Sequence, residues 1–364
     1  MEYKNKNQGI VKNLCKQCGG EAIYSAKKQK LVCGHCGHEE DLNLSNDKII
    51  EKSFHEDITY EGHEEGMGKE HKNFHCKSCG SITMVDVTQV VINCPFCGSS
   101  HVNEEAYSKR IIKPEGIIPF TIDKSTAYQT FKEWIGSGWF RPNDLKKVTT
   151  LEKIHGVYVP FWTYDAMTES TWWAEAGYYY YETEYYTDEN GNTQTRQVQK
   201  VRWIPVSGYY EQFFDDVTVI GSKGISQSRV EDIYPFDYKK LINYDPRLLV
   251  GWESELYGID VQKGFEVAEK IMDNYIYKAC VQQIPGDTYR FLEINTHKYN
   301  ITYKHILLPI WIAAYRYNGK VYQVIVNGQT GKISGEKPLS WIKILLFVLF
   351  IALVVGLILY LSKK

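Results

Sequence analysis

The sequence has no excess of either charge and lacks the common catalytic motifs. Its 364 residues carry 42 Lys and Arg against 44 Asp and Glu, a formal net charge of −2. The chain as a whole therefore has no electrostatic attraction for nucleic acid or anionic lipid. It also contains no Gly-x-Gly-x-x-Gly loop, no Walker loop, no His-Glu-x-x-His and no Gly-x-Ser-x-Gly. We therefore expect no catalytic residue, no organic cofactor site and no enzymatic activity.

The N-terminal segment lacks the apolar stretch of a secretory signal, and the nine cysteines are too few for a disulfide-dense secreted protein. We expect these thiols to lie in a reducing compartment. A long hydrophobic run is also absent from most of the chain.

The exception is residues 344–361, which contain no charged or strongly polar side chain. As a helix they would span about 27 Å, and residues 341–361 together match a hydrocarbon core about 30 Å thick. Trp341 and Tyr360 lie at the two ends, where amphipathic rings favour the headgroup layer. We predict a single-pass C-terminal anchor, residues 339–364, in the cell membrane. Because a short tail is easier to translocate than 340 residues without a signal, we expect the bulk to face the cytoplasm.

Eight of the nine cysteines form four Cys-x-x-Cys-Gly knuckles, arranged as two equal pairs shifted by 61 positions. They are Cys15, Cys18, Cys33 and Cys36 in the first pair, and Cys76, Cys79, Cys94 and Cys97 in the second. Two knuckles joined by a short hairpin bring four sulfurs to one tetrahedral ion. The pattern predicts two zinc ribbons, residues 1–50 and 74–105, each with one structural zinc ion. A thioredoxin-type redox pair would need a βαβ unit, and a catalytic zinc would keep a position open for water.

Zinc ribbons often bind nucleic acid, so the local charge matters. Residues 1–57 carry nine lysines and nine acidic residues, and residues 69–110 carry five basic and four acidic residues. Neither segment has the basic, aromatic-rich patch that phosphate contacts require, so nucleic acid is not an expected partner. Residues 51–73, acidic and poor in apolar side chains, are predicted to be a flexible linker.

Residues 106–338 are rich in aromatic side chains and predict an antiparallel α+β region. A helix is expected after Ser125 and another from about Asp260 to Gln283, and residues 157–215 predict a long hairpin that turns at 188–192. The sequence Pro-x-Trp occurs at Pro160 and again 149 positions later at Pro309, each time after a helix and before a hairpin. This repeat predicts that the region is duplicated. The aromatic stripe is interpreted as cross-strand packing, with a ligand platform as the alternative.

Several segments resemble a known family. They are the paired knuckles, the VPFW strand, the late YNGKVY and NGQTGK segments, and a run containing Pro119, Phe120, Ala127, Phe131, Trp134, Trp139, Phe140 and Pro142. Together they resemble the zinc-ribbon membrane proteins of Firmicutes that are often labelled TFIIB-type zinc-ribbon proteins. The resemblance implies no established enzymatic activity. It also implies protein partners at the membrane, of the phage-shock-protein-A-like or flotillin and band-7-like kind.

Three classes of function follow. The first is a membrane-anchored, zinc-binding adaptor that recruits or organises protein partners, in an envelope-stress response if the resemblance holds. The second is a nucleic-acid-binding regulator tethered to the membrane. The third is an enzyme or small-ligand sensor in the α+β region. The anchor, the closed zinc sites and the missing catalytic motifs favour the adaptor.

Overall fold

Very long antiparallel strands form the centre of the fold. The computed structural model describes residues 13–42, 48–54, 71–86, 93–100, 102–104, 112–147 and 154–362. Within them, strand β9 (Ile154–Thr187) pairs on one side with β10 (Thr193–Ile220) and on the other with β13 (Thr288–Tyr317). The predicted hairpin is confirmed, and its turn at residues 188–192 joins β9 to β10. The class is α+β with mostly sheet, as predicted.

Shorter elements surround this centre. In chain order the remaining strands are β1 (Ala22–Ser25), β2 (Lys30–Cys33), β3 (Glu39–Glu40), β4 (Lys52–Ser53), β5 (His71–Cys76), β6 (Ile82–Asp86), β7 (Val102–Glu104), β8 (Gly116–Ile117), β11 (Ile242–Asn243), β12 (Glu253–Leu256), β14 (Lys320–Asn327) and β15 (Ile333–Gly335). Strands β1 to β3 make a separate small sheet, and the others extend the large one. The described α-helices are α1 (Lys124–Gly136), α2 (Gln227–Asp232), α3 (Val261–Gln283) and α4 (Trp341–Ser362).

Aspartate side chains begin the two long helices of the α+β region. Asp123 accepts a hydrogen bond from the backbone N–H of Thr126, and Asp260 accepts one from Lys263. Such N-caps satisfy N–H groups that have no partner in the first turn. Helix α1 therefore starts one residue before Ser125, the predicted cap. Ser125 instead donates its own hydroxyl to Asp123, because the Asp carboxylate is the stronger acceptor.

The two Pro-x-Trp segments lie beside each other in β9 and β13. Val159 pairs with Leu308, and each of these residues directly precedes the proline of its Pro-x-Trp segment. The two segments therefore pair at equivalent positions. The Pro160 carbonyl accepts the Gly221 N–H, and the Pro309 carbonyl accepts the Gly328 N–H. The Gly221 carbonyl in turn accepts from residues 258 and 259, and the Gly328 carbonyl from residues 121 and 122. Each series of hydrogen bonds therefore leads to the residue directly before a helix N-cap, which is Asp260 in the first case and Asp123 in the second.

The β9–β10 hairpin projects beyond the rest of the sheet as an arm. Strand β13 reaches β9 only as far as Gly177, which pairs with Thr288. Residues 178–187 of β9 and 193–202 of β10 continue as a two-stranded ribbon, about 33 Å long at 3.3 Å per residue. We call residues 178–202 the arm.

The first ribbon packs on the α+β region. Tyr24 is 3% exposed and belongs to the same hydrophobic cluster as Phe120, Tyr158 and Trp252. Its hydroxyl donates to the Phe120 carbonyl over 3.2 Å, and the Trp252 indole N–H donates to the Tyr24 carbonyl over 3.1 Å. The first ribbon is therefore held by apolar burial and by hydrogen bonds at the surface of the main body.

The prediction that residues 51–73 form a flexible linker is wrong at both described ends of this segment. Lys52 and Ser53 pair with β13, and Phe54 is buried against Tyr164 and Phe265. The strand pairing, the buried Phe54 ring and the ion pairs of Lys52 with Glu115 and of Glu51 with Lys304 together hold this short polar segment. At the other end, β5 already begins at residue 71. Residues 55–70 lie outside the described part of the chain.

Helix α4 projects from the packed body. It has 22 residues, none of them buried, and it is long and apolar enough to cross a membrane. At 1.5 Å per residue it measures about 33 Å. The predicted C-terminal apolar helix is therefore present.

Candidate metal centres

The structure brings the eight predicted cysteines together in two groups of four. In each group the four sulfur atoms lie within 4.8 Å of one another. The first contains Cys15, Cys18, Cys33 and Cys36, and the second contains Cys76, Cys79, Cys94 and Cys97. Among the described residues, no histidine belongs to either group. His55, His63 and His101 lie outside the described part of the chain. We call these groups the first and the second cluster.

Glycines with left-handed backbone shape all four knuckles. The residues after the second cysteine of each knuckle, Gly19, Gly37, Gly80 and Gly98, have φ between +66° and +78°. Each donates its N–H to the carbonyl of the first cysteine of its knuckle, over 2.8 to 3.0 Å. A side chain would strain this conformation. In the first ribbon, the hairpin of β1 and β2 brings the two knuckles close together.

The sulfur spacing fits a tetrahedral ion. Metal–sulfur bonds of about 2.3 Å place the four sulfurs about 3.8 Å apart. The Cys15–Cys36 and Cys18–Cys33 pairs are each separated by 3.5 Å. In the second cluster the Cys76–Cys97 distance is 3.6 Å and the Cys79–Cys94 distance is 3.7 Å. A disulfide would need about 2.0 Å, and all nine cysteines are free. Both clusters could hold a metal ion.

Thiols this close influence one another's ionisation. Backbone N–H groups of Cys36 and His35 lower the pKa of Cys33 to about 6. The neighbouring Cys94 thiol lowers the pKa of Cys79 to about 5, while that contact and burial raise the pKa of Cys94. Four thiolates within 4.8 Å repel one another, so full ionisation needs a cation among them.

The two clusters differ in their surroundings. Cys18 and Cys36 of the first cluster are exposed, whereas Cys79 and Cys97 of the second are half-buried. The Ser81 hydroxyl lies 3.2 Å from the Cys79 sulfur and 3.3 Å from the Cys94 sulfur. Hydroxyl donors of this kind stabilise metal-bound thiolates. The corresponding position in the first ribbon is Gly20, which has no hydroxyl.

A buried carboxyl group lies behind the second cluster. Glu255 of β12 is 1% exposed, and burial raises its pKa well above the usual range, with a further contribution from the charge of Cys79. Ser222 donates its hydroxyl to Glu255 Oε1 over 2.8 Å. Burial therefore favours the neutral form of this carboxyl, which adds no negative charge beside the thiolates. Sequence reasoning missed this residue, because the pairing of β12 with β6 that places it here joins distant segments.

A third acidic group carries its own cation. The carboxylates of Asp165, Asp215 and Asp216 lie close together, but the Lys304 ammonium lies 2.8 Å from Asp216 and 3.1 Å from Glu51. Burial, followed by the neighbouring Glu51, raises the pKa of Asp165 to about 6. This network is a partly buried ion-pair cluster, in which the Lys304 ammonium supplies the positive charge.

Comparison with known proteins gives a distant relative. The chain is 25% identical over 335 residues to a protein of Bacillus subtilis (strain 168) described as "Uncharacterized protein YdjG", and the match covers 91% of each chain. No protein-family model matches the sequence. No solved structure matches it either.

Proposed function

We propose that this protein is a membrane-anchored adaptor with two structural zinc ions, which holds protein partners at the cytoplasmic face of the cell membrane. Helix α4 serves as the single-pass anchor. Zinc is the expected metal because a closed set of four thiolates suits a structural zinc ion and leaves no position for a substrate. No step of catalysis is part of this role.

The arm is the observation that carries the adaptor role. Side chains alternate across its two strands, so one face presents Tyr179, Tyr181 and Tyr185 beside Val201, Gln199 and Thr195. These three tyrosines are 46%, 66% and 75% exposed. No charged residue lies on this face within the arm. Tyrosines grouped on one uncharged face supply the aromatic side chains that are enriched where proteins bind one another.

The opposite face of the arm is different. It carries Glu182 and Glu184, which form ion pairs with Lys200 and Arg196. Such charge pairs favour contact with water. The uncharged face, defined by Tyr179, Tyr181 and Tyr185, is therefore the better docking surface.

The structure alters the way in which the ribbons contribute. A flexible linker would have left the first ribbon tethered but mobile. The ribbon is instead packed on the main body through Tyr24 and Trp252. Each zinc ion would then fix a small module on a rigid scaffold. Because little entropy remains to be lost, a rigid scaffold binds a partner at lower cost than a flexible one.

The chemical identity of the partner is proposed from the family resemblance. It would be a phage-shock-protein-A-like or flotillin and band-7-like protein. The alternative classes, a membrane-tethered nucleic-acid-binding regulator and a small-ligand sensor or enzyme, have weaker support. A shallow groove of about 250 Å³ between Cys97 and Arg316 is where a small ligand would be sought.

The test compares the two faces of the arm. Tyr179, Tyr181 and Tyr185 are replaced together by serine in the full chain, and the matched control replaces Tyr180 and Tyr186 on the charged face. Crosslinking in native membranes should capture the partner with the parent and with the control, but not with the triple variant. Equal capture by all three proteins would exclude the uncharged face and, with it, this basis for the adaptor role.

We also propose that residues 106–338 are an internal duplication. The equivalent hydrogen bonds around Pro160 and Pro309 support it, as does the pairing of Val159 with Leu308. Each repeat would consist of a helix followed by a hairpin, with the helix packed on the sheet of the other repeat.

A further inference from the structure

A short segment between α1 and the 3-10 turn at Asn143–Lys147 lies against the start of α4. The Ser340 N–H donates to the Phe140 carbonyl over 2.7 Å. The Lys343 ammonium donates to the Arg141 carbonyl over 2.8 Å and to Asn143 Oδ1 over 2.7 Å. These bonds fix residues 137–143 beside the first turn of the helix. We call this segment the base loop.

The base loop reaches along α4 into its apolar part. The Phe140 ring meets the Phe347 ring edge-on at a centroid distance of 5.3 Å. Phe347 is six residues beyond the first residue of α4, which corresponds to about 9 Å along the helix axis. If α4 crosses a bilayer, Phe140 therefore lies at the depth of the boundary between headgroups and acyl chains.

An uncovered tryptophan stands next to Phe140. Trp139 is 81% exposed, the same fraction as Trp341 at the start of α4. A tryptophan left this open on a folded surface is costly in water. The layer between water and hydrocarbon suits an indole, because its ring is apolar and its N–H is polar.

Three cationic side chains lie on or against the base loop. Arg141, Lys337 and Lys343 have no carboxylate partner in the part of the chain that the structure describes. Lys337 donates to the Ser137 hydroxyl over 2.8 Å and lies 4.2 Å from the centre of the Trp134 ring. The Arg141 guanidinium donates through one terminal nitrogen to the Pro142 carbonyl over 3.3 Å. Lipid phosphates are the anions that such groups meet at a membrane surface.

We propose that the base loop is a second membrane contact, in which Trp139 and Phe140 enter the interfacial layer and Arg141, Lys337 and Lys343 bind lipid phosphates. The occupant is the bilayer itself, because the loop is continuous with the helix that enters it. This inference rests on the proposed spanning role of α4. Two contacts, the helix and the loop, then fix the tilt of the body above the membrane.

The test uses tryptophan fluorescence of the full chain in vesicles of phosphatidylglycerol and phosphatidylcholine. The acyl chains carry bromine close to the headgroup, which quenches only tryptophans in contact with it. We expect Trp139→Phe and Trp341→Phe each to remove a comparable part of the quenched emission. The matched control is Trp173→Phe, which alters an exposed tryptophan on the open sheet and should leave the quenched part unchanged. All three positions are exposed, so folding is not at risk.

The outcomes separate this inference from the topology. Loss of quenching with Trp341→Phe but not with Trp139→Phe would overturn the base-loop contact and leave the spanning helix intact. Equal emission in brominated and plain vesicles would overturn both. A smaller Trp139 contribution in Arg141→Gln than in the parent would support the phosphate contacts. An unchanged contribution in that variant would overturn the contact assigned to Arg141.

Discussion

Trp162 and Trp311 make the same hydrogen bond at two places in the fold. The Trp162 indole N–H donates to the carbonyl of Ile259 over 2.9 Å, and that of Trp311 donates to the carbonyl of Ile122 over 2.8 Å. Both acceptors directly precede the Asp cap of a long helix. Each tryptophan thus holds the start of one helix against the central strands.

The first prediction concerns this pair. Trp162→Phe and Trp311→Phe each leave a carbonyl without its indole donor inside the protein, so each should lower the free energy of unfolding by about 1–3 kcal/mol. Trp173→Phe, at an exposed position, should change it by about 0.5 kcal/mol or less. Denaturant unfolding in detergent measures these values. A large loss of unfolding free energy with one of the two buried tryptophans and none with the other would show that their hydrogen bonds are not equivalent.

The second prediction concerns the metal. The full chain should contain two zinc ions, Cys33→Ser should contain one, and Cys280→Ser, which alters a buried cysteine of α3 outside both clusters, should keep two. Because Cys18 and Cys36 are exposed, a chelator should remove the first zinc faster than the second. Metal analysis of the purified proteins, followed over time with chelator, tests both statements. Loss of both ions in Cys33→Ser would mean that the clusters depend on each other.

The third prediction concerns pH. Burial lowers the pKa of His305 to about 4, against an ordinary value of about 6.5. Between these values the unfolded chain binds a proton that the folded chain does not. The free energy of unfolding should therefore fall as the pH is lowered from about 6.5 to 4, by up to about 3 kcal/mol from this group.

His305→Gln should flatten that part of the pH dependence, because glutamine does not titrate. His297→Gln, on the open sheet, is the matched control and should keep the slope of the parent. Unfolding curves measured at several pH values in detergent give the slopes. An unchanged slope in His305→Gln would show that another group is responsible.

The fourth prediction concerns orientation. Protease added outside spheroplasts should leave residues 1–338 intact, since the proposed topology places them in the cytoplasm. The same protease should digest them after the membrane is permeabilised with detergent. Digestion of intact spheroplasts would reverse the orientation while leaving α4 as the anchor.

The clusters and α4 could be predicted from sequence because each depends on a local pattern. The knuckle spacing determines which sulfurs meet, and an uninterrupted apolar run determines a membrane-length helix. The long hairpin and the Asp260 helix were also predictable, since turn residues and helical periodicity mark them.

The packing of the first ribbon and the pairing of β4 depend on distant contacts. Tyr24 meets Phe120 and Trp252 across 96 and 228 positions of sequence. Nothing in the spacing of residues near Tyr24 indicates these partners. Phe54 is a single apolar residue in a polar segment, which composition alone cannot distinguish from an exposed side chain. The base loop could not be predicted from the sequence either, because its contacts with α4 join segments about 200 positions apart.

The pairing of β4 with β13 has a consequence for the integrity of the chain. Residues 55–70 are bounded by β4 on one side and β5 on the other, and both strands belong to the same large sheet. A cut between them would leave the N-terminal fragment held by β4, Phe54 and the Tyr24 contacts. The protein should accordingly assemble from two separately expressed pieces, residues 1–62 and 63–364, and purify as a non-covalent pair.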